Sequence, residues 1–332
     1  MINWGIIGVG NVTEVKSGPA FYKTPHSRLV AVMRRDARKA ADYARRHGVP
    51  RWYDNADLLI SDPDVQAVYV ATPPDSHAEY AIRAMRAGKP VYVEKPMARN
   101  YRECLEMIRV SEVTGMPLWV AYYRRALPAF LKVKACIENG EIGQPLTVNI
   151  RLYRQAAERN QQPGEMSWHV DPDIGGAGHF FDLASHQFDY LDFLFGPVSE
   201  VNGIAVNLAG LYPAEDTVTG TFRFESGVTG TGSWCFVAGQ PAETDLIEIV
   251  GDSGKVCLPC FTHGDVILEN RHGRQTFSFQ NPPHISQNLV QQVVDELRGV
   301  GTCVSTKYSA ARTSRVLDEM VKSYYSKKHP SE

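Results

Sequence analysis

Three groups of side chains in this sequence have types and spacings that could do chemistry. The first is Val93-Glu94-Lys95-Pro96-Met97-Ala98, where a carboxylate and an ammonium end the strand-like run Gly88-Lys89-Pro90-Val91-Tyr92 and a proline follows them. At a surface strand end this would be a loose ion pair, worth little. At the carboxyl edge of a parallel sheet, where open α/β folds bind their ligands, the same lysine could polarise a reacting oxygen. The second group lies between His179 and Phe195, where Phe180, Phe181, Leu183, Ala184, Phe188, Leu191 and Leu194 make most of a helix surface apolar. Asp182, His186 and Asp189 share one face of that helix. Such polar groups need partners: either a proton-transfer pair facing a substrate or a hydrogen-bonded pair that satisfies itself in a core. Gly175-Gly176-Ala177-Gly178 precedes them and permits close backbone approach. The third group is Gly8-Val9-Gly10-Asn11-Val12-Thr13, placed where a first strand turns into a helix. Its glycines would let the backbone approach a pyrophosphate, as in a dinucleotide fingerprint, with Thr13 in place of the third glycine.

These groups need elements to position them. Asn3 to Val9, Leu29 to Met33, Val65 to Ala71, Val91 to Glu94 and Leu118 to Ala121 read as buried strands. Between them, helices are expected from about Val12, from Asp36 to His47 with Gly48 as terminator, from His77 to Ala87 and from Tyr101 to Thr114. Alternating strand and helix means a parallel, doubly wound sheet. After Pro128 a helix from Ala129 to Glu138 ends at Asn139-Gly140, and short strands then dominate. They are expected at Leu146 to Tyr153, Val198 to Asn207, Thr217 to Phe224, Val228 to Val237, Asp245 to Val250, Lys255 to Leu258, Val266 to Glu269 and Gln275 to Phe279. The fold class is therefore an α/β Rossmann domain over residues 1–124, followed by an α+β domain over 125–332 with a large, mostly antiparallel open sheet. Such a sheet must cover both faces, one with helices and the other with a second subunit.

The bulk numbers narrow the partner. With 332 residues, 35 basic against 37 acidic side chains and a net charge of -2, no long run of like charge favours nucleic acid or an anionic membrane. The opening MINWGIIGVG lacks the pattern of a secretion signal, and no apolar run is long enough to span a bilayer, so a cytoplasmic location is expected. The six cysteines are scattered; Cys257-Leu-Pro-Cys260 with His263 nearby could suggest a metal, but such sites draw a second ligand pair from elsewhere. The second strand ends Met33-Arg34-Arg35-Asp36, where an acid would hold a ribose 2′-hydroxyl and an arginine a 2′-phosphate. Arg34 and Arg35 thus point to NADP(H) in preference to NAD(H), unless both are solvated; Asp36 is also placed to cap the next helix.

Taken together these stretches resemble the glucose-fructose oxidoreductase, inositol dehydrogenase and rhizopine-catabolism (Gfo/Idh/MocA) family. The landmarks are GVGNV at the first turn, VATPPDSHAEYA from Val70, AGKPVYVEKPMA from Ala87, GEIGQP from Gly140, GGAGHFFDLASHQFD from Gly175 and STKYSAARTSRVLD from Ser305, in order along nearly the whole chain. The resemblance implies that Lys95 reaches the substrate hydroxyl beside the nicotinamide, that the Lys95–Pro96 peptide is cis, and that Asp182 and His186 supply the proton carrier. It further implies a cofactor-binding set of Gly8, Gly10, Asn11 and Val12 in the turn, Arg34 and Arg35 after the second strand, Thr72, Pro73 and His77 after the fourth, and Glu94, Lys95 and Arg124. Ala177 and Ala184 stand where the family often has glycine, Lys307 replaces the glycine of its STG, and Arg34 takes the place of a frequent acid.

The expected function is reversible hydride transfer between a secondary alcohol of a sugar, polyol or related cyclic compound and a nicotinamide. Lys95 would polarise the oxygen, His186 would take or return its proton, and Asp182 would orient and stabilise the imidazolium. Tyr123, Arg124, Trp168 and His169 are candidates for lining the substrate pocket, Trp168 offering an apolar face to a sugar ring. Two alternatives remain: a glycoside-cleaving enzyme that oxidises its substrate transiently with a retained dinucleotide, and a dinucleotide-binding sensor without turnover. No catalytic metal is expected, although His179, Asp182 and His186 have helical spacing that could bind zinc. Assembly as a homodimer or homotetramer through the second sheet is expected.

Overall fold

The computed structural model describes residues 1–157 and 166–328. The chain forms two compact units, one from Met1–Leu127 with Asn281–Ala311 and one from Pro128–Gln280 with the chain from Arg312 onward.

The first unit alternates β1 (Ile2–Ile7), α1 (Asn11–Val15), α2 (Ala20–Lys23), β2 (Ser27–Met33), α3 (Ala37–His47), β3 (Arg51–Tyr53), α4 (Ala56–Ser61), β4 (Ala67–Val70), α5 (His77–Arg86), β5 (Val91–Val93), α6 (Tyr101–Thr114) and β6 (Leu118–Val120). Its six strands are all parallel in the order β3-β2-β1-β4-β5-β6. The winding reverses between β1 and β4, and the crevice that binds ligands in such sheets opens at the carboxyl ends of those two strands. Every residue of β4, β5 and β6 is buried, as a sheet covered on both faces requires. Asp36 caps α3 by accepting a hydrogen bond from the Lys39 amide at 3.2 Å, and Gly48 ends it with φ of 65°.

Three features depart from the sequence reading. The helix expected from Val12 is only five residues long, because a Cβ on Gly18 would fall 2.1 Å from the Thr13 carbonyl oxygen and 2.3 Å from the Tyr43 hydroxyl. That close approach and Pro19 break the chain into α1 and α2. β3 and α4 carry no alternation long enough to read; β3 is three residues at a sheet edge. The segment Asn281–Ala311, expected in the second domain, packs in the first unit. Its helix Gln287–Leu297 buries Leu289, Val290, Val293 and Val294 against Trp4, Ile6 and Phe21. Ser305 then donates to the Val120 carbonyl at 2.7 Å and Thr306 bridges Trp119, covering the edge strand β6.

The second unit comprises α7 (Pro128–Glu138), β7 (Pro145–Tyr153), α8 (Pro172–Gly175), α9 (His179–Phe195), β8 (Val198–Val206), β9 (Thr217–Phe224), β10 (Thr229–Cys235), β11 (Thr244–Gly251), β12 (Gly254–Leu258), β13 (Val266–Asn270), β14 (Gly273–Phe277) and part of a long helix, Lys307–Lys328. Its eight-stranded sheet runs β14-β13-β12-β11-β7-β10-β9-β8, antiparallel except where β10 lies parallel to β7. One face receives α9: Phe188 meets Phe222 at 5.2 Å and Trp234 at 5.6 Å between ring centroids, and the Trp234 indole donates to Gln187 at 2.7 Å. The long helix approaches the same face so closely that a Cβ on Gly203 would lie 2.1 Å from the Met320 carbonyl oxygen. The other face is mixed, with Thr219, Thr221 and Thr231 exposed beside Ile204, itself 67% exposed.

Candidate active site

In the first unit the glycine turn closes on both neighbouring strands. The Gly8 and Val9 amides donate to the Met33 carbonyl at 2.9 and 3.1 Å, holding the turn against β2. Gly8 has φ of 95°, and a Cβ there would come within 2.6 Å of the Thr72 side chain, so the turn and the loop after β4 meet where the sheet reverses. Beside Gly10, by contrast, a Cβ would meet nothing nearer than the Gly8 carbonyl at 3.9 Å and an Arg34 nitrogen at 4.0 Å. That open cradle fits a phosphate. Thr13 explains its own presence: its hydroxyl accepts from the Gly10 amide at 2.9 Å and donates to the Gly10 carbonyl at 2.8 Å. Asn11 is exposed and Val12 half-buried at the start of α1.

Arg34 reaches back over this turn and donates from Nη1 to the Val9 carbonyl at 3.1 Å. Arg35 is exposed, and Asp36 serves as the α3 cap. Thr72 and Pro73 are half-buried after β4, and the Thr72 hydroxyl oxygen, itself buried, makes no hydrogen bond among the described residues. His77 is fully buried with Nε2 2.7 Å from the Thr72 carbonyl and Nδ1 3.0 Å from the Pro96 carbonyl. It therefore ties the loop after β4 to the loop that carries Lys95. Burial lowers its pKa despite the two carbonyls.

The Glu94-Lys95 pair is not a loose surface pair. Glu94 is 7% exposed; one carboxylate oxygen accepts from the fully buried Tyr69 hydroxyl and the other from the Lys95 amide at 3.2 Å. With the Tyr69 proton on Glu94, the Ser17 hydroxyl, 2.9 Å from the Tyr69 oxygen and 3.2 Å from the Val12 carbonyl, can donate its one proton to either. Burial, then the charge of Glu94, hold the Tyr69 phenol well above its usual pKa, so it is a donor throughout the working range. Lys95 is half-buried at the head of this chain, and the Lys95–Pro96 peptide is cis. Tyr123 and Arg124 follow β6; Arg124 is 5% exposed, with its guanidinium 5.1 Å from the Tyr123 ring centroid.

In the second unit α9 begins at Gly178, whose amide donates to the buried Glu215 carboxylate at 3.0 and 3.2 Å. A Cβ on Gly178 would lie 2.6 Å from the Glu215 carbonyl, so this glycine serves packing. Asp182 is half-buried and His186 is 4% exposed, its ring 6.0 Å from Phe261 in an edge-on arrangement. Phe261 is held there by Asp245, which accepts from the amides of Cys260, Phe261 and Thr262 at 2.9, 2.6 and 2.7 Å. One turn before Asp182, His179 packs 5.5 Å from Phe236 and 6.0 Å from Tyr212. It also lies 6.3 Å from His169, which stacks on Trp168 at 3.6 Å and has Nδ1 2.7 Å from the Ser167 hydroxyl. Trp168 and His169 are thus two faces of one aromatic wall.

Sequence reasoning missed Tyr69, Ser17, His179 as a wall residue, Phe261 and Asp245. Only Tyr69 left a signal, as the one hydroxyl in the apolar strand Ala67–Val70. Among the described residues no group of three or more His, Cys, Asp or Glu could hold a metal. Burial pushes the Cys257 thiol up to about 11. No helix among the described residues is long and apolar enough to cross a membrane.

Comparison with known proteins agrees with this geometry. Residues 2–122 match the oxidoreductase family with an NAD-binding Rossmann fold, and residues 130–257 match the GFO/IDH/MocA C-terminal domain. The chain is 36% identical over 318 residues to "Oxidoreductase P35" of Formosa agariphila, covering 96% of this chain and 97% of that protein. It is 29% identical over 310 residues to the 1,5-anhydro-D-fructose reductase of Ensifer adhaerens, covering 91% and 90%. Among solved structures, a levoglucosan dehydrogenase in complex with NADH and levoglucosan superposes with a TM-score of 0.84 at 23% identity over 98% of this chain and 97% of that one. A putative NADPH-dependent oxidoreductase from Desulfitobacterium hafniense superposes with a TM-score of 0.86 at 22% identity, covering 98% and 96%. The two matched domains and the relative that spans the whole chain lead to one conclusion: this protein is an oxidoreductase of the Gfo/Idh/MocA family.

Proposed function

We propose that the protein is an NAD(P)-dependent dehydrogenase or reductase acting on a secondary alcohol of a sugar, polyol or related cyclic compound, with NADP(H) preferred to NAD(H). The observation that carries this reading is the position of Lys95, directly after β5 and beside the strand whose loop meets the glycine turn. The carbohydrate class is supported by the names of relatives that act on an anhydro-fructose and on levoglucosan.

Gly8, Gly10, Asn11, Val12, Thr72 and Pro73 would hold the dinucleotide, with Glu94, Lys95 and Arg124 toward its reactive end and His77 bracing the loops. The nicotinamide, when bound, supplies the acceptor or donor of hydride. The chain's own groups do the rest. The Lys95 ammonium donates to the reacting oxygen and stabilises its growing negative charge. His186 takes or returns the hydroxyl proton, and Asp182 orients the ring and favours its protonated form. Trp168 offers its indole face to the sugar ring, and His169 and Tyr123 line the pocket. With polarisation and proton transfer both supplied by side chains, no metal is required, and exhaustive chelation should leave full activity.

Arg34 supports NADP(H). One nitrogen is anchored on Val9, which aims the rest of the planar fork as a charge-assisted donor for a 2′-phosphate. The nearby acid Asp36 caps α3 through the Lys39 amide, whereas an Arg34 nitrogen stands beside the glycine turn. We further propose a cytoplasmic enzyme that self-associates through the face of its second sheet opposite α9, where Asn149, Arg151, Ile204, Thr231 and Glu248 line a groove of about 680 Å³. Light scattering at several concentrations tests the assembly, and a concentration-independent monomer mass contradicts it. A panel of sugars, inositols, sugar acids and glycosides with NADP(H) and NAD(H), followed for nicotinamide absorbance and released aglycone together, tests the chemistry. Net nicotinamide turnover is expected; aglycone release without it would instead mean transient oxidation.

A further inference from the structure

The buried polar chain behind Lys95 contains two groups, Ser17 and Tyr69, that have no part in the chemistry assigned above. Its members are Ser17 after the glycine turn, Tyr69 in the middle of β4 and Glu94 at the end of β5, all 7% exposed or less. Tyr69 is enclosed by aromatic packing, its ring stacked on Phe21 at 4.7 Å and 5.3 Å from Tyr92. A hydroxyl in such a place costs free energy unless it is hydrogen-bonded, and a carboxylate costs more. Each answers the other: the Tyr69 hydroxyl donates to one oxygen of Glu94. The second oxygen receives the Lys95 amide at 3.2 Å. A carboxylate gripped from both ends cannot rotate without breaking a charge-assisted bond in a water-poor interior. The peptide that leads into Lys95 is therefore held by a side chain rooted in the neighbouring strand.

We infer that Tyr69 is a positioning residue which, through Glu94, sets the main chain of Lys95, with Ser17 extending the brace to the turn that holds the dinucleotide. The inference rests on the reading that Lys95 meets the substrate, since a misplaced lysine costs turnover where binding survives. Tyr69 touches neither cofactor nor substrate in this account.

Hydrogen exchange reads the brace directly, because the Lys95 amide is one of its bonds. In Tyr69→Phe, which keeps the ring stack, the Lys95 amide should exchange at least about tenfold faster, the weight of one hydrogen bond to a charged group. The amides of β5 should keep their rates. Glu94→Gln removes the charge from the other end of the same bond and should act alike, which covers a Tyr69→Phe protein that fails to fold. A wild-type rate at Lys95 in either variant overturns the proposal. So does an acceleration spread evenly over β4, β5 and β6, which would reduce Tyr69 to an ordinary core residue. The measurement needs no substrate, so its failure is separable from that of the chemistry assigned to Lys95, which the turnover of Lys95→Ala tests alone.

Discussion

The strand ends of the first unit and the helix α9 of the second place chemical groups by different means. At the strand ends each side chain leaves a parallel strand whose neighbours are set by topology, and main-chain groups of the adjoining loops hold several of the buried polar atoms. His77 sits between two carbonyls, Thr13 closes its own turn, and Glu94 takes the amide of the next residue. On α9 the polar face is held by groups distant in sequence. Asp192 pairs with Arg312 at 2.7 and 2.9 Å, Gly178 with Glu215, and His186 faces Phe261, which Asp245 pins. The first arrangement is local and should fail locally. The second is a lattice of long-range contacts, and damage to it should spread into packing.

The largest expected effect tests the strand-end region. Lys95→Ala should fold and bind dinucleotide, yet lose at least about a hundredfold in kcat, the cost of removing one electrostatic stabiliser. Next, Arg34→Ala should weaken NADPH binding by about tenfold to a hundredfold, equivalent to about 1.5 to 3 kcal/mol, and leave NADH binding nearly unchanged. Fluorescence titration with both nucleotides reads this; equal affinities unaffected by the substitution would make Arg34 a solvated side chain. In the α9 region, Asp245→Ala strips an acceptor from three amides and should lower thermal stability by about 1 to 3 kcal/mol while raising KM for substrate. A change in KM with an unaltered melting temperature would show that the pinned loop is a local device after all.

The smallest effect is pH-dependent and lies at the back of the glycine turn. Arg46 holds Glu14 near a pKa of about 2, with His47 adding to it. A carboxylate whose pKa is depressed on folding stabilises the fold above its unfolded value of about 4.5 and loses that contribution as pH falls toward 2. Glu14→Gln should therefore lower stability above about pH 4.5, neutrality included, and flatten the profile between those limits. Denaturant unfolding at stepped pH checks the slope.

The same contrast explains what the sequence could disclose. The parallel sheet, α3 with its Asp36 cap and Gly48 terminator, α6 and α9 were legible because each has its own periodicity and punctuation. β3 was not, since three residues at an edge carry no pattern, nor was the return of Leu289, Val290 and Val293 to the first unit, which depends on long-range burial. Lys95, Asp182 and His186 could be put forward as candidates because reactive types stood at telling positions. The wall formed by His179, Phe236 and Tyr212, and the loop at Phe261, could not: an aromatic on a short strand or turn looks the same in a core and beside a substrate.

The central proposal is that Lys95 and His186 serve the same reaction. The measurement that tests it most directly is kcat for Lys95→Ala, His186→Ala and the double variant on the substrate that the panel identifies. Groups acting as one unit are disabled by the loss of either, so the double variant should turn over about as slowly as the worse single variant. Losses that multiply, or near-normal turnover in Lys95→Ala, would contradict the account.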